Sequence, residues 1–408
     1  MRRVVVTGLG AITPIGNNVP TFWNNLISGK VGINKITRFD TDSFPVKLAA
    51  EVKDLDVSSL PKRETKFDAI FVNYARLASR EAWNNAGLDM EKEDAERVGV
   101  FIATSLGGNE KLHDGVVSYE RKGAARVSPY LLQSILPNMA AAKVSIDLGA
   151  HGSSMGHIAA CASGGMAIGA AYTEIALKET ADVMIAGASD ASIEPVVMAS
   201  FAAMRAIYTG EDATIASVPF DRRRSGFTMG EGAGILVLEE LEHAKSRGAK
   251  IYAELIGEFE NSDAYHAVSP DLEGRMSQKA MEHLLRRARV NAKRIGYINA
   301  HGTSTLIGDK VEAMAIERIW GEKSPYVSSI KAQIGHLLSA SGAVEAIATI
   351  LSLKDGILPA TANSSDIDCD INLITDKPVR KKIDYAISNS FGFGGHNVCL
   401  LFKRWNEK

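Results

Sequence analysis

Cys161 stands in the segment His157-Ile-Ala-Ala-Cys161-Ala-Ser-Gly-Gly-Met-Ala-Ile-Gly-Ala-Ala171, where a short apolar strand is expected to end and a helix of small residues to begin. A sulfur at a helix start lies beside unpaired N–H groups carrying about half a positive charge, which favours thiolate over thiol. Gly164, Gly165 and Gly169 would let backbone come close, as at sharp turns that expose a nucleophile. The competing reading is a small buried cysteine. Two histidines lie in similar settings: His301 in Ile298-Asn-Ala-His301-Gly-Thr-Ser-Thr305, and His336 in Ser329-Ile-Lys-Ala-Gln-Ile-Gly-His336-Leu-Leu338. Each alone reads as a structural histidine. Three polar groups at equivalent strand-to-helix turns converge on one face of an α/β sheet. Their spacing excludes a helical His-Glu-x-x-His zinc site. A fourth segment, Ser388-Asn-Ser-Phe-Gly-Phe-Gly-Gly-His-Asn397, offers either amide donors for an oxyanion with a ring closing over a pocket, or a plain Gly-rich turn.

Elements to position these residues alternate along the chain. Strands are expected at Val4–Thr7, Val98–Ala103, Asp182–Ala186, Gly234–Leu238, Ile251–Ile256, Ile298–Asn299, Tyr326–Ser329, Ala386–Ser388 and Val398–Phe402. Several are apolar throughout, which indicates strands covered on both faces in a layered α/β protein. Helical spacing marks Phe67–Ala86, Gly164–Glu179, Ser277–Arg289, Lys310–Trp320 and Gly342–Leu353. The polar stretch Glu258–Gly274 divides two halves of similar rhythm. Gly8-Leu-Gly-Ala-Ile-Thr13 lacks the third glycine of a dinucleotide fingerprint, and Gly230-Glu-Gly-Ala-Gly234 lacks the Lys-Ser/Thr of a phosphate loop, so both read as tight turns.

The 408 residues carry 46 Lys plus Arg against 48 Asp plus Glu, a net charge of -2 that leaves no broad basic footprint for nucleic acid or an anionic membrane. No apolar run approaches the roughly 18 residues a bilayer span needs. Three scattered cysteines, Cys161, Cys369 and Cys399, suit neither a disulfide framework nor a paired zinc site, and point to a reducing, cytoplasmic setting.

Taken together, the motifs resemble the β-ketoacyl-carrier-protein synthases, in particular the elongating type II enzymes of the thiolase superfamily. The likeness runs through Val4-Val-Val-Thr-Gly-Leu-Gly-Ala-Ile-Thr-Pro-Ile-Gly16, Ala160-Cys-Ala-Ser-Gly164, Pro219-Phe-Asp, Gly230-Glu-Gly-Ala-Gly234, His301-Gly-Thr-Ser-Thr305, Gly335-His-Leu-Leu338 and Asn389-Ser-Phe-Gly-Phe-Gly-Gly395. It implies a thiolase-like duplicated α/β fold in five layers, α-β-α-β-α. Residues 1–257 would form the half with the nucleophilic cysteine, and residues 258–408 the half with both histidines.

The resemblance also implies roles. Cys161 would take an acyl chain as a thioester from the phosphopantetheine of an acyl-carrier protein. His301 and His336 would promote decarboxylation of malonyl-carrier protein, whose carbanion attacks that thioester, while the Cys161 and Phe393 amides hold the oxyanion. No bound metal or redox cofactor is implied. Lys331, Glu345, Asp309 and Asn389 would support the site, and Phe393 would gate it. Leu106, Phe201, Thr303, Thr305 and Gly394 would contact substrate, and Arg63, Lys66 and Arg205 would dock the acidic carrier protein. Phe67 occupies a usually basic docking position. A homodimer is expected, with a heterodimer as the alternative. Leu306, Ala332, Gln333, Ser225 and His157 depart from the family pattern at positions that bear on substrate preference. They keep open a type II polyketide or polyene ketosynthase, beside a non-catalytic partner subunit. A degradative thiolase is disfavoured because its C-terminal catalytic cysteine motif is missing.

Overall fold

The computed structural model describes residues 1–406. Among them, ten strands form one hydrogen-bonded sheet: β1 (Val4–Ile12), β2 (Val98–Ala103), β3 (Ser154–Met155), β4 (Val183–Asp190), β5 (Gly232–Glu240), β6 (Ala253–Ser262), β7 (Ile295–Asn299), β8 (Tyr326–Ser328), β9 (Tyr385–Gly392) and β10 (His396–Arg404). Their spatial order is β3-β2-β4-β5-β1-β6-β10-β9-β7-β8. Each strand of the first flank has its counterpart five strands later. In both flanks the first, fifth and fourth strands pair antiparallel, and the fourth, second and third pair parallel. The flanks are joined only where Val4–Val6 pairs with Ala253–Leu255.

The helices that matter for the site are α1 (Lys62–Phe67), α2 (Ile70–Ala86), α3 (Asn109–Lys122), α4 (Leu131–Ile135), α5 (Ser163–Ala176), α6 (Arg275–Ala288), α7 (Leu306–Trp320), α8 (Lys331–Ile334) and α9 (Ser339–Asp355). α5 and α9 pack on each other and on strands of both flanks, α2 covers the outer face of the first flank, and α6 with α7 covers the second. This is the five-layer, thiolase-like α-β-α-β-α stack. Residues Ser339–Leu353 of α9 are buried all round, as a helix between two sheets must be. Ile168 and Ile175 of α5 meet Val344 and Ile347 of α9 in the central core, with Leu236 of β5 and Leu400 of β10 closing it from either side. The continuous apolar runs of β2 and β4 are buried at every residue. None of the described helices is long and apolar enough to cross a membrane.

Three local expectations change. Residues 8–12 lie within β1 and residues 232–234 open β5, so neither glycine string is a tight turn. β6 opens the second flank, so a division after residue 257 falls inside that strand; its polar end is held by pairing with β10. The residues just before Cys161 form no strand. β3 ends at Met155, and the chain reaches Cys161 through an irregular turn with Ala160 at φ 48°.

Candidate active site

The internal repeat explains why residues distant in sequence meet. Cys161 lies between β3 and α5, and His336 lies between β8 and α9, which are equivalent positions in the two halves. α5 and α9 touch at their first turns so closely that a Cβ on Gly164 would come within 2.4 Å of the Ser339 carbonyl oxygen. Cys161 and His336 are thereby brought to one place. His301 joins them from the end of β7. The end of β9 is laid against the nucleophile turn: a Cβ on Gly392 would lie 2.7 Å from the Ala159 carbonyl oxygen and 3.1 Å from the Cys161 amide nitrogen. Only glycine permits that approach. Ala160, in the left-handed region, stores strain of about 1–2 kcal/mol in the same turn.

A cavity of about 420 Å³ holds Cys161, His301 and His336 together, with Phe201, Phe227, Leu338 and Phe393 among its walls. The two imidazoles meet edge to face, 5.4 Å between centroids, and Phe227 stands edge-on to His336 at 5.4 Å. Phe393 leans on Phe201 at 6.3 Å. Thr303 and Thr305 line the cavity with hydroxyls 3.0 Å apart, and Arg205 is exposed at its mouth.

Lys331 fixes the first imidazole. It is completely buried, donates to the His301 carbonyl and to Glu345 Oε1, and lies 3.4 Å from His301 Nδ1. An ammonium can only donate, so Nδ1 accepts and the ring proton sits on Nε2. Removing either member of the buried Lys331–Glu345 pair would leave a lone charge, costing about 3–5 kcal/mol. Burial, reinforced by Lys331 and His336, pushes the His301 pKa well below the ordinary histidine value; burial and then Lys331 do the same to His336. Both rings are therefore neutral near pH 7. Ser341 Oγ accepts the Leu337 amide at 2.9 Å and lies 2.9 Å from His336 Nδ1. The hydroxyl keeps its own proton to donate to Nδ1, and in that arrangement the ring proton sits on Nε2 as well.

Cys161 differs from expectation. Burial pushes its thiol up to about 12; Lys331 opposes this, and Asp190 and Glu345 reinforce it. The helix start does not outweigh the loss of water around the sulfur, and the resting group is a thiol. The rate of Cys161 alkylation by iodoacetamide should consequently keep rising beyond about pH 10, where a free cysteine of pKa about 8.5 has levelled off. A plateau near neutrality, mapped to Cys161 by peptide mass, would contradict this.

The remaining expected residues divide. Asp309 accepts the amides of Phe220, Thr303 and Ser304, and so holds the loop after His301. Asn389 donates to Glu312 at 3.1 Å, and Glu312 accepts the His301 and Gly302 amides. Sequence reasoning missed Glu312, although its spacing of three from Asp309 puts both carboxylates on one helix face toward that loop. Ser341 and Asp190 were also missed. Leu106 is 45% exposed and is not among the cavity walls. Gly394 turns its amide to the Ala267 carbonyl at 2.8 Å, which ties the Phe393 turn to a neighbouring loop and leaves Gly394 off the wall. Arg63 and Lys66 are exposed on α1; Arg63 donates to the Tyr130 hydroxyl, and Phe67 stacks on the Tyr130 ring.

Of the five departures, only Ser225 and Leu306 reach the cavity. Gln333 points away, its amide nitrogen donating to the Leu26 and Lys30 carbonyls. His157 packs on Phe101, and Ala332 is fully buried.

Comparisons with known proteins point to one family. Residues 1–244 match the family model described as the beta-ketoacyl synthase N-terminal domain, and residues 252–365 match its C-terminal domain. The chain is 44% identical to 3-oxoacyl-[acyl-carrier-protein] synthase 2 of Staphylococcus aureus strain COL over 409 residues, covering 99% of each protein. Among solved structures it is similar to a ketosynthase chain in the AntDE:AntF complex, a type II polyketide ketosynthase bound to its acyl-carrier protein with a hexaketide. That match has 31% identity and a TM-score of 0.92, covering 99% of this chain and 100% of the other. The ishigamide ketosynthase/chain length factor matches with 30% identity and a TM-score of 0.93 over the same shares.

Proposed function

As this chain belongs to the β-ketoacyl synthase family, we propose that it elongates fatty acids by decarboxylative condensation. The chain being lengthened is held on Cys161, and the two added carbons come from malonyl-acyl-carrier protein. The observation that carries this reading is the convergence of Cys161, His301 and His336 on one cavity.

The first half-reaction forms the Cys161 thioester and breaks the thioester to the carrier's phosphopantetheine; the Cys161 proton ends on the departing thiol. The Cys161 and Phe393 amides, in the turns that Gly392 brings together, stabilise the tetrahedral oxyanion. In the second, malonyl loses carbon dioxide, and the Nε2–H groups of His301 and His336 donate to the enolate oxygen. Neutral imidazoles suit this task, since each keeps one proton to donate without forming an ion pair with the departing carboxylate. The enolate carbon attacks the acyl carbonyl, and collapse breaks the bond to Cys161, releasing a 3-oxoacyl-carrier protein and a thiolate that regains its proton from water. Lys331, Asp309, Glu312 and Asn389 position His301 and its loop. Phe393, against Phe201, closes over the sulfur until it is acylated.

Arg205 at the mouth, with Arg63 and Lys66 on α1, forms the docking patch for an acidic carrier protein. A second copy completes the enzyme along the β3 edge. Met155 and Ile158 there, Leu112, Val116 and Tyr119 on α3 and Leu132 on α4 are all exposed. Leu106 lies in that region and reaches an acyl pocket only when the second copy covers it. The three free thiols fit a reducing cytoplasm.

A type II polyketide ketosynthase is the second reading, favoured by the hexaketide-bound relative and by Ser225 and Leu306 at the cavity wall. Intact mass after incubation with a panel of acyl-carrier proteins decides between them. The wild-type chain is expected to load saturated acyl groups and, with malonyl-carrier protein, extend them by two carbons. Turnover of polyenoyl or aryl starters alone would reject the fatty-acid reading.

A further inference from the structure

Asp190, at the end of β4, is completely buried, and one of its oxygens gathers two separate segments. Oδ2 accepts the Ser105 amide at 3.0 Å, the Ser105 hydroxyl at 2.7 Å, the Ser339 amide at 3.0 Å and the Ser339 hydroxyl. Oδ1 takes the Ser192 hydroxyl at 3.1 Å. Burial pushes the Asp190 pKa up, and the four donors gathered on Oδ2 work against that by favouring the ionised carboxylate. Ser105 precedes Leu106, and Ser339 opens α9 directly after Leu338. Leu338 holds φ 49° and ψ -119°, a backbone state that side chains other than glycine rarely adopt, and it packs in the apolar cluster that Cys161 contacts. An anchor is needed to keep it there. The His336 backbone is held from the other side, its amide donating to the Thr228 carbonyl at 2.7 Å and its carbonyl accepting the Gly230 amide at 2.9 Å, while its ring meets Ser341 in the first turn of α9.

We propose that Asp190 is a positioning residue for the acyl-transfer half-reaction: it ties the Ser105–Leu106 loop to the start of α9 and so holds Leu338 as the acyl-side wall beside Cys161. The claim rests on the preceding functional reading for its substrate; Asp190 touches neither histidine, its donors being Ser105, Ser192 and Ser339. Asp190 also places a negative charge near the sulfur, one of the causes of the raised thiol.

The test uses the full-length Asp190→Asn protein, with Ser105→Ala/Ser339→Ala as a second route should the first not fold. Acyl loading is followed by intact mass with a short and a long saturated acyl-carrier protein, and carbon dioxide release from malonyl-carrier protein is measured in a Cys161→Ala background. Loading in Asp190→Asn should fall about tenfold or more for the long chain and less for the short one, with carbon dioxide release within about twofold of its parent. The alkylation profile of Cys161 should shift to lower pH in Asp190→Asn and stay in place in the double serine variant, which keeps the charge. Equal loss of loading and decarboxylation, or unchanged loading with both chains, would overturn the proposal. Failure of the wild-type chain to load any acyl group would reject the functional reading beneath it, and that outcome is distinguishable because it needs no Asp190 variant.

Discussion

A Cys161→Ala protein incubated with saturated acyl-carrier protein is expected to keep its unmodified mass while the wild-type chain gains one acyl group. The expectation follows from where the other thiols lie. Cys399 is buried within β10, and Cys369 stands beside Asp368 outside the cavity, with burial pushing its thiol up to about 12. Neither can replace a sulfur that shares a chamber with both imidazoles. Loading should fall by at least about a thousandfold, since a covalent route loses its nucleophile outright. An alanine side chain removes only sulfur and leaves the Ala160 turn and the α5 start intact, so the folded protein should be recovered. Undiminished turnover would instead favour the non-catalytic partner-subunit reading.

His301→Ala and His336→Ala should separate the two half-reactions in the opposite sense. Each variant is expected to load acyl groups at near wild-type rates and to release carbon dioxide from malonyl-carrier protein about 10²–10³-fold more slowly, the usual effect of removing one oxyanion donor. The double variant should fall short of the product of the two losses, because the donors serve one developing charge. Asp309 and Glu312 grip the loop around residue 301 through backbone amides, and the His336 backbone is held by Thr228 and Gly230. The expected defect is therefore chemical rather than structural. Radiolabelled carbon dioxide capture measures it; normal release from either variant would remove that histidine from the mechanism.

The chemistry-bearing residues were legible in the sequence because each sits in a short motif whose turn chemistry is local. The strands were legible for a similar reason: β2 is apolar at every position from Val98 to Ala103, and it forms over those residues. What stayed hidden depended on distance in space. Nothing near residue 161 announces that the sulfur is crowded enough by apolar surroundings for desolvation to defeat the helix start, since those surroundings are walls such as Phe201, Phe227 and Leu338. Asp190 was invisible because its partners, Ser105 and Ser339, lie 85 and 149 residues away. Gln333 looked like a pocket change close to Lys331, yet the short α8 turns it to the far side, where it caps carbonyls of Leu26 and Lys30. Leu106 is exposed and lies off the cavity of a single copy, so the expectation for it comes from the family resemblance alone.

The most direct test of the central claim is a single turnover starting from the acyl-Cys161 enzyme with radiolabelled malonyl-carrier protein, following three quantities together. The acyl group should leave Cys161, carbon dioxide should appear, and a 3-oxoacyl-carrier protein two carbons longer should form, all at one rate and in equal amounts. Release of the acyl group as a free acid, or carbon dioxide formed while the Cys161 adduct persists, would contradict a sulfur and two imidazoles working on one condensation.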